Sequence, residues 1–301
     1  MRAYGLGPLP GTSMSEAAAM VLGETGDLVH LPQLPQRGID SDPLGLTAAL
    51  LPGIPVDRGP RGWVLRPGNL RLRDRWLRDL DCCQETWTDS KGMIVPPQVK
   101  VQLVGPWSLA AGLETPRGHR ALTDSGALRD LTEAFIEAAT EQAAEIARRF
   151  EARVLVQVDE PLLAQIAAGG LRGSHDFEQI APIAQEKLGA RLHSVFDSIE
   201  AETLLGLRGQ RPPWRAIRRS QVSTVLLSHG AIRGTAQIDA LGELLDSGMR
   251  LGLGVGDREV RTLIHEVSPA DDAVDLFPEI PAEASLVEAA RAYTEVSRLA
   301  S

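Results

Sequence analysis

From residue 99 onward the chain repeats one unit: a short apolar run, then a longer segment with apolar residues at three- and four-residue steps, at a pitch of roughly 30 residues. "QVKVQLVG" (98–105) is β-branched and closed by Gly105-Pro106. "DSGALRDLTEAFIEAATEQAAEIARRF" (124–150) places Leu128, Leu131, Phe135, Ala139, Ala143, Ile146 and Phe150 on one helical face, with Asp124 or Ser125 to cap it. "RVLVQVDEP" (153–161) is a second strand. "SHDFEQIAPIAQEKLG" (174–189) reads as a helix capped by Ser174 and stopped at Gly189. Residues 190–195 of "ARLHSVFDS" then read as a buried strand, followed by a helix from Asp197 to Leu205. The strand 221–228, the helix 235–248, the strand 250–256 and a final helix 285–300 complete the series. Strands that are apolar throughout belong to a parallel sheet covered on both faces. Alternation at this pitch builds either a doubly wound sheet or a (β/α)8 barrel.

With Tyr4–Leu6 and Trp63–Leu65, seven strands are legible. A closing eighth strand is expected from Asp257–Ser268, unless that segment packs as a plug; the spacing of Val260, Leu263 and Ile264 favours a helical turn and so the plug. Residues 27–60 are rich in Pro and Gly and read as an ordered loop excursion across one barrel mouth, within a single domain spanning 1–301.

The net charge of −9 argues against nucleic acid as the main partner, since a phosphate backbone calls for a surplus of Lys and Arg. No stretch approaches the ~20 apolar residues of a membrane span. The opening "MRAYGLGPLPGT" has no apolar run long enough for a signal peptide. The two cysteines, Cys82 and Cys83, are adjacent in a stretch with helical spacing and form no disulfide framework. The expectation is a cytoplasmic protein.

Four stretches can carry chemistry. "VQVDEP" puts Asp159 and Glu160 at the carboxyl end of a strand, where barrel enzymes place their working groups. Side chains alternate, so Asp159 is expected to face the barrel mouth and Glu160 to face away or cap the next turn. "GLGPLPGT" (5–12) follows the first strand, and Gly7 would let the backbone approach a ligand; the loop has no phosphate-loop spacing and no Lys. His193 stands in "RLHSVF", either as a metal ligand or as a packed ring with its nitrogens satisfied. The arginines of "RGQRPPWRAIRRS" (208–220) form either a solvated face or a patch for an anionic ligand.

Together these stretches resemble the carboxyl-terminal catalytic barrel of the cobalamin-independent methionine synthases. Leu6-Gly7-Pro8-Leu9-Pro10-Gly11-Thr12 resembles the family's I-G-S-F-P-x-T, "VQLVGP" its L-T-G-P, "VQVDEP" its I-Q-I-D-E-P-A-L, and "RLHSVF" stands where it has a strand ending H-x-C. The likeness runs loosely over residues 3–256. It implies a TIM-type (β/α)8 barrel with an incomplete or degenerate eighth unit. It also implies methyl transfer from a folate donor, 5-methyltetrahydrofolate, to the thiol of homocysteine. In the family a zinc ion held by one His, two Cys and one Glu makes that thiol a thiolate.

Carried over by residue, Asp159 matches the carboxylate that holds the substrate amino group, with Gly7 and Glu160 beside it, and His193 matches the zinc histidine. The remaining ligands are missing. Val195 stands where the first cysteine belongs, the strand ending Leu226-Leu227-Ser228-His229 offers no glutamate, and no Cys follows Gly256. Pro8 replaces the loop serine near the substrate carboxylate. His229 is the one available companion for His193, and a catalytic zinc site takes about three protein ligands. The resemblance thus implies a methyltransferase-like barrel that holds no zinc. The rival is a catalytically degenerate barrel that binds a small amino acid, a thiol or a partner protein.

Overall fold

The computed structural model describes residues 1–68, 71–173, 179–207, 211–255 and 273–300. Its strands are β1 (Leu28–His30), β2 (Val56–Gly59), β3 (Gly62–Leu65), β4 (Gln98–Val104), β5 (Leu113–Glu114), β6 (Arg153–Asp159), β7 (Glu202–Gly206), β8 (Thr224–Leu227), β9 (Arg250–Val255) and β10 (Val274–Pro278). The helices that matter below are α1 (Met14–Thr25), α2 (Pro43–Leu50), α3 (Leu72–Thr86), α4 (Pro106–Gly112), α5 (Ser125–Phe150), α6 (Leu163–Ala168), α7 (Gln185–Asp197), α8 (Trp214–Ser220), α9 (Thr235–Asp246) and α10 (Leu286–Ala300).

Seven strands form one curled parallel sheet in the order β1-β4-β6-β7-β8-β9-β10. β2, β3 and β5 make a separate three-stranded sheet. The period-2 alternation of the main strands divides the apolar side chains into two cores. Val99, Val101 and Leu103 of β4, with Val154, Val156 and Val158 of β6, join the large core shared with the helices. Tyr4, Leu28, Leu155, Leu204, Leu226 and Phe277 form a second cluster on the concave face. Parallel strands buried on both faces in this way need crossover helices; α3, α5, α7, α8 and α9 lie between successive strands, and α10 follows the last strand and packs on it.

The N-terminal segment meets the sheet at both edges. The Tyr4 amide donates to the Leu276 carbonyl of β10 (3.1 Å), and the Gln33 amide, just past β1, donates to the Gly7 carbonyl (2.9 Å). Below the concave cluster, Asp275 of β10 is fully buried and binds Arg2 (2.7 Å) and Arg250 of β9 (2.5 Å). Arg2 also reaches Glu202 of β7 (2.7 Å).

Several expectations are corrected. Residues 190–195 are not a strand: they continue α7, with Leu188, Leu192, Val195 and Phe196 buried at helical spacing. Gly189 is not a stop. A Cβ there would lie 2.5 Å from the Arg219 Cβ and 2.6 Å from the Ala216 carbonyl, so the glycine lets α7 cross closely over α8. The segment 197–205, expected as a helix, contains β7. The excursion 27–60 holds β1, a full member of the sheet that is three residues long and carries no readable period. Trp63–Leu65 pairs in the small sheet, and Tyr4–Leu6 joins β10 only through an isolated bridge at Ala3. The sheet's last strand is β10, a segment not recognised as a strand; Asp257–Ser268 lies outside the described residues.

Candidate functional site

The strands end together at one edge of the curled sheet, and a cavity of about 300 Å³ opens there. Asp159 closes β6 and lines it, with Ser228 past β8, Glu279 past β10 and Tyr293 from α10. Leu226 and Phe277 of the concave cluster also line it. A cavity at the carboxyl ends of parallel strands is where barrel and open α/β proteins keep their ligands.

Asp159 is held from below. The Gln157 amide donates to Asp159 Oδ1 (2.8 Å) and to the Leu6 carbonyl (2.9 Å). Gln157 Oε1 accepts from Lys100 Nζ. Space for the carboxylate comes from Gly206, where a Cβ would lie 2.0 Å from Asp159 Oδ1. Lys100 is fully buried, and burial lowers its pKa to about 7 even though the Asp159 charge raises it. Beside it, His30 of β1 is stacked on Tyr293 with ring centroids 5.8 Å apart, and Tyr293 Oη lies 3.2 Å from His30 Nε2. Burial, then the Lys100 charge, holds His30 neutral, while burial raises the Tyr293 phenol. Behind Asp159 there is therefore a buried polar layer of Gln157, Lys100, His30 and Tyr293, of which Tyr293 also lines the cavity.

The Lys100 amine makes a testable difference to stability. Between pH 7 and about 10 the unfolded chain keeps this proton and the folded chain does not. The unfolded state then binds more protons, so stability rises with pH across that window. Wild type is expected to gain on Lys100→Met by about 1 kcal/mol per pH unit there, read from urea unfolding at pH 7, 8, 9 and 10. Parallel profiles for the two proteins would refute the buried neutral amine.

Glu160 faces the other way. Its carboxylate is fully buried and accepts the Trp107 (2.9 Å) and Ser108 (2.7 Å) amides at the start of α4. It caps that turn and contributes nothing to the cavity. Gly7 lies between the lining residues Leu6 and Pro8, but its α-carbon faces the Gln102 side chain, and its φ of +121° is what requires glycine.

His193 is half-buried on α7, in the helical layer outside the sheet, and not at a strand end. His229 begins a single 3-10 turn after β8, next to the lining residue Ser228. The apolar spacing of 188–196 is helical, so His193 belongs to α7 and not to the strand-end edge where His229 lies. Cys82 and Cys83 lie on α3; Cys83 packs against Met14, and burial pushes its thiol pKa up. Among the described residues no three His, Cys, Asp or Glu side chains come together as a metal-ligand set. The zinc centre that the sequence resemblance implies takes two cysteine ligands, and both cysteines of this chain lie on α3, away from the strand ends, so these donors do not fit it. In the basic run, Arg215 pairs with Glu186 of α7 (3.6 Å) and Arg218 with Glu243 of α9, both at the exposed surface. Arg208 lies outside the described residues.

Lys100, Gln157, Glu279 and Tyr293 are site residues that motif reading missed. A signal existed for the first two: Lys100 and Gln102 in "QVKVQLV", and Gln157 in "RVLVQVD", alternate with β-branched residues on the face opposite the main core.

No protein-family model matches the sequence, and no curated protein matches it. Among solved structures, the chain is similar to a B12-independent methionine synthase from Shewanella sp. W3-18-1 in complex with selenomethionine. The two share 12% identity over 99% of this chain and 97% of that one, with a TM-score of 0.56. The two chains share a fold. At that identity the likeness extends to the fold alone. A second similar structure is an enolase protein from the environmental genome shotgun sequencing of the Sargasso Sea, at 7% identity over 96% of this chain and 57% of that one, TM-score 0.46. Among the described residues no helix is long and apolar enough to cross a membrane.

Proposed function

We propose that this chain is a methionine synthase-like barrel whose mouth binds a small amino compound of the homocysteine and methionine class, with Asp159 taking the ammonium group. The observation that carries the reading is Asp159 itself: a carboxylate fixed by Gln157 and given room by Gly206, at the wall of a cavity whose other sides are largely apolar. The structurally similar synthase was solved with selenomethionine, a ligand of this class. The N-terminal segment serves as the eighth member of the ring, a role supported by its hydrogen bonds to Leu276 at one edge and Gln33 at the other.

On this reading the chain takes up no zinc, because the thiolate donors are not at the mouth. It holds its ligand without the metal activation that the sequence resemblance implies for methyl transfer from a folate donor. Calorimetric titration with L-homocysteine and L-methionine tests the binding. Asp159→Asn is expected to weaken it at least tenfold with the melting temperature kept. An unchanged affinity in that variant would refute the site. Methyl transfer from methyltetrahydrofolate to homocysteine, with one tightly held zinc per chain, would refute the zinc-free reading.

A further inference from the structure

We propose that Glu279 is a second ligand-binding carboxylate of this mouth, and that with Asp159 it selects an organic amine carrying net positive charge over a zwitterionic amino acid. The proposal rests on the binding reading above and names the ligand's charge class.

Glu279 follows β10, on the same concave side as Phe277 two residues earlier, and lines the same cavity as Asp159. Its side chain lies over the bare α-carbon of Gly254 on β9, where a Cβ would stand 2.4 Å from Glu279 Oε1. That oxygen is shielded from solvent and has no hydrogen-bond donor among the described residues. A shielded acceptor without a donor is costly in a folded chain, and a ligand that supplies one relieves the cost. Glycines at 206 and 254 thus make room for a carboxylate on each of two strands, β7 making room for Asp159 and β9 for Glu279.

The charge preference follows. An ammonium group gains from both carboxylates. An α-carboxylate on the same ligand is brought towards one of them, and a like charge in a cavity with low-dielectric walls disfavours it. The walls next to these carboxylates are Leu6, Pro8, Leu226 and Phe277, which suit a short apolar stem. Pro8 has no amide N–H to offer a carboxylate.

The test is calorimetric titration of the full chain with 3-(methylthio)propylamine and with L-methionine at one pH and low salt. The two probes share a side chain and differ by the carboxylate. Wild type is expected to bind the amine at least tenfold more tightly, and Glu279→Gln to lose at least tenfold for the amine and less than threefold for methionine. Methionine binding as tightly as the amine, or an amine affinity unmoved in a folded Glu279→Gln, overturns this proposal and leaves the binding role of Asp159 standing. If neither probe binds wild type, the binding reading fails and this proposal with it. Should Glu279→Gln not fold, the amine-to-methionine ratio in wild type decides alone.

Discussion

Replacing Asp275 with alanine is expected to cost the fold about 3–5 kcal/mol, the range for removing one partner of a buried ion pair. The carboxylate is fully buried and carries two cations at once, Arg2 at 2.7 Å and Arg250 at 2.5 Å. Arg2 Nε (3.1 Å) and the Arg2 backbone amide (3.2 Å) donate to it as well, and the Tyr4 hydroxyl lies 3.4 Å away. Burial lowers the Arg2 pKa, but its bonds and charges with Asp275 and Glu202 outweigh that and raise it overall. Without the carboxylate, both guanidinium groups keep their charge on half-closed sites. Their side chains retain 30% and 32% exposure, so water partly replaces the lost partner and the loss falls towards the lower end of the range. The network also ties the N-terminal segment to β10, so the Tyr4 amide, bonded to the Leu276 carbonyl, is expected to exchange faster in the variant than amides of β6. Urea unfolding and hydrogen exchange read the two effects. A loss below about 1 kcal/mol with unchanged Tyr4 exchange would show that the N-terminal segment is held to the β10 edge by other means.

What the sequence made legible follows from how much period each element carries. α5 has 26 residues and a full apolar stripe, and β4 and β6 have seven residues each, so all three are recognisable. β1 has three residues between Asp27 and Pro32, too few for any period, and its sheet partners are set by tertiary pairing with β4. β10, "VDLFP", hides because its buried Asp275 looks like a loop residue until Arg2 and Arg250 are seen around it. The reading of 190–195 failed on a different point. In sequence Gly189 has the look of a helix stop, but its missing side chain serves the α7–α8 crossing, a contact invisible along one chain segment. That single misplacement moved His193 from the outer layer to an imagined strand end and created the expected metal position. For Asp159 and Glu160, strand alternation alone puts the side chains on opposite faces, and the structure places them so. Glu279 and Tyr293 carry no local pattern; only the folding of β10 and α10 against the mouth brings them to the cavity.

Asp159 and Glu160 are sequence neighbours with opposite expected consequences, which makes them the sharpest internal comparison in the chain. Glu160→Ala leaves the Trp107 and Ser108 amides, bonded to its carboxylate at 2.9 and 2.7 Å, without an acceptor in a buried site. Each such orphan costs about 1–3 kcal/mol, so a loss of about 2–6 kcal/mol is expected from the two. The loss depends on pH. Burial raises the Glu160 pKa from 4.5 to about 7 against the opposing pull of its hydrogen bonds with Ser108 and Trp107. Between pH 4.5 and 7 the folded state therefore holds a proton that the unfolded state has released. More protons bound in the folded state means stability falls as pH rises through that window and is level above it. The deficit of Glu160→Ala relative to wild type is thus expected to be larger at pH 5 than at pH 8. Asp159→Asn, by contrast, keeps an acceptor for Gln157 and faces the cavity, so it should unfold close to wild type at either pH while losing ligand. Denaturation curves for both variants at pH 5 and pH 8 separate the roles. A Glu160→Ala protein as stable as wild type would mean that α4 is not held by this carboxylate, and a deficit that grows with pH would mean that the amides hold it ionised and that burial does not raise its pKa.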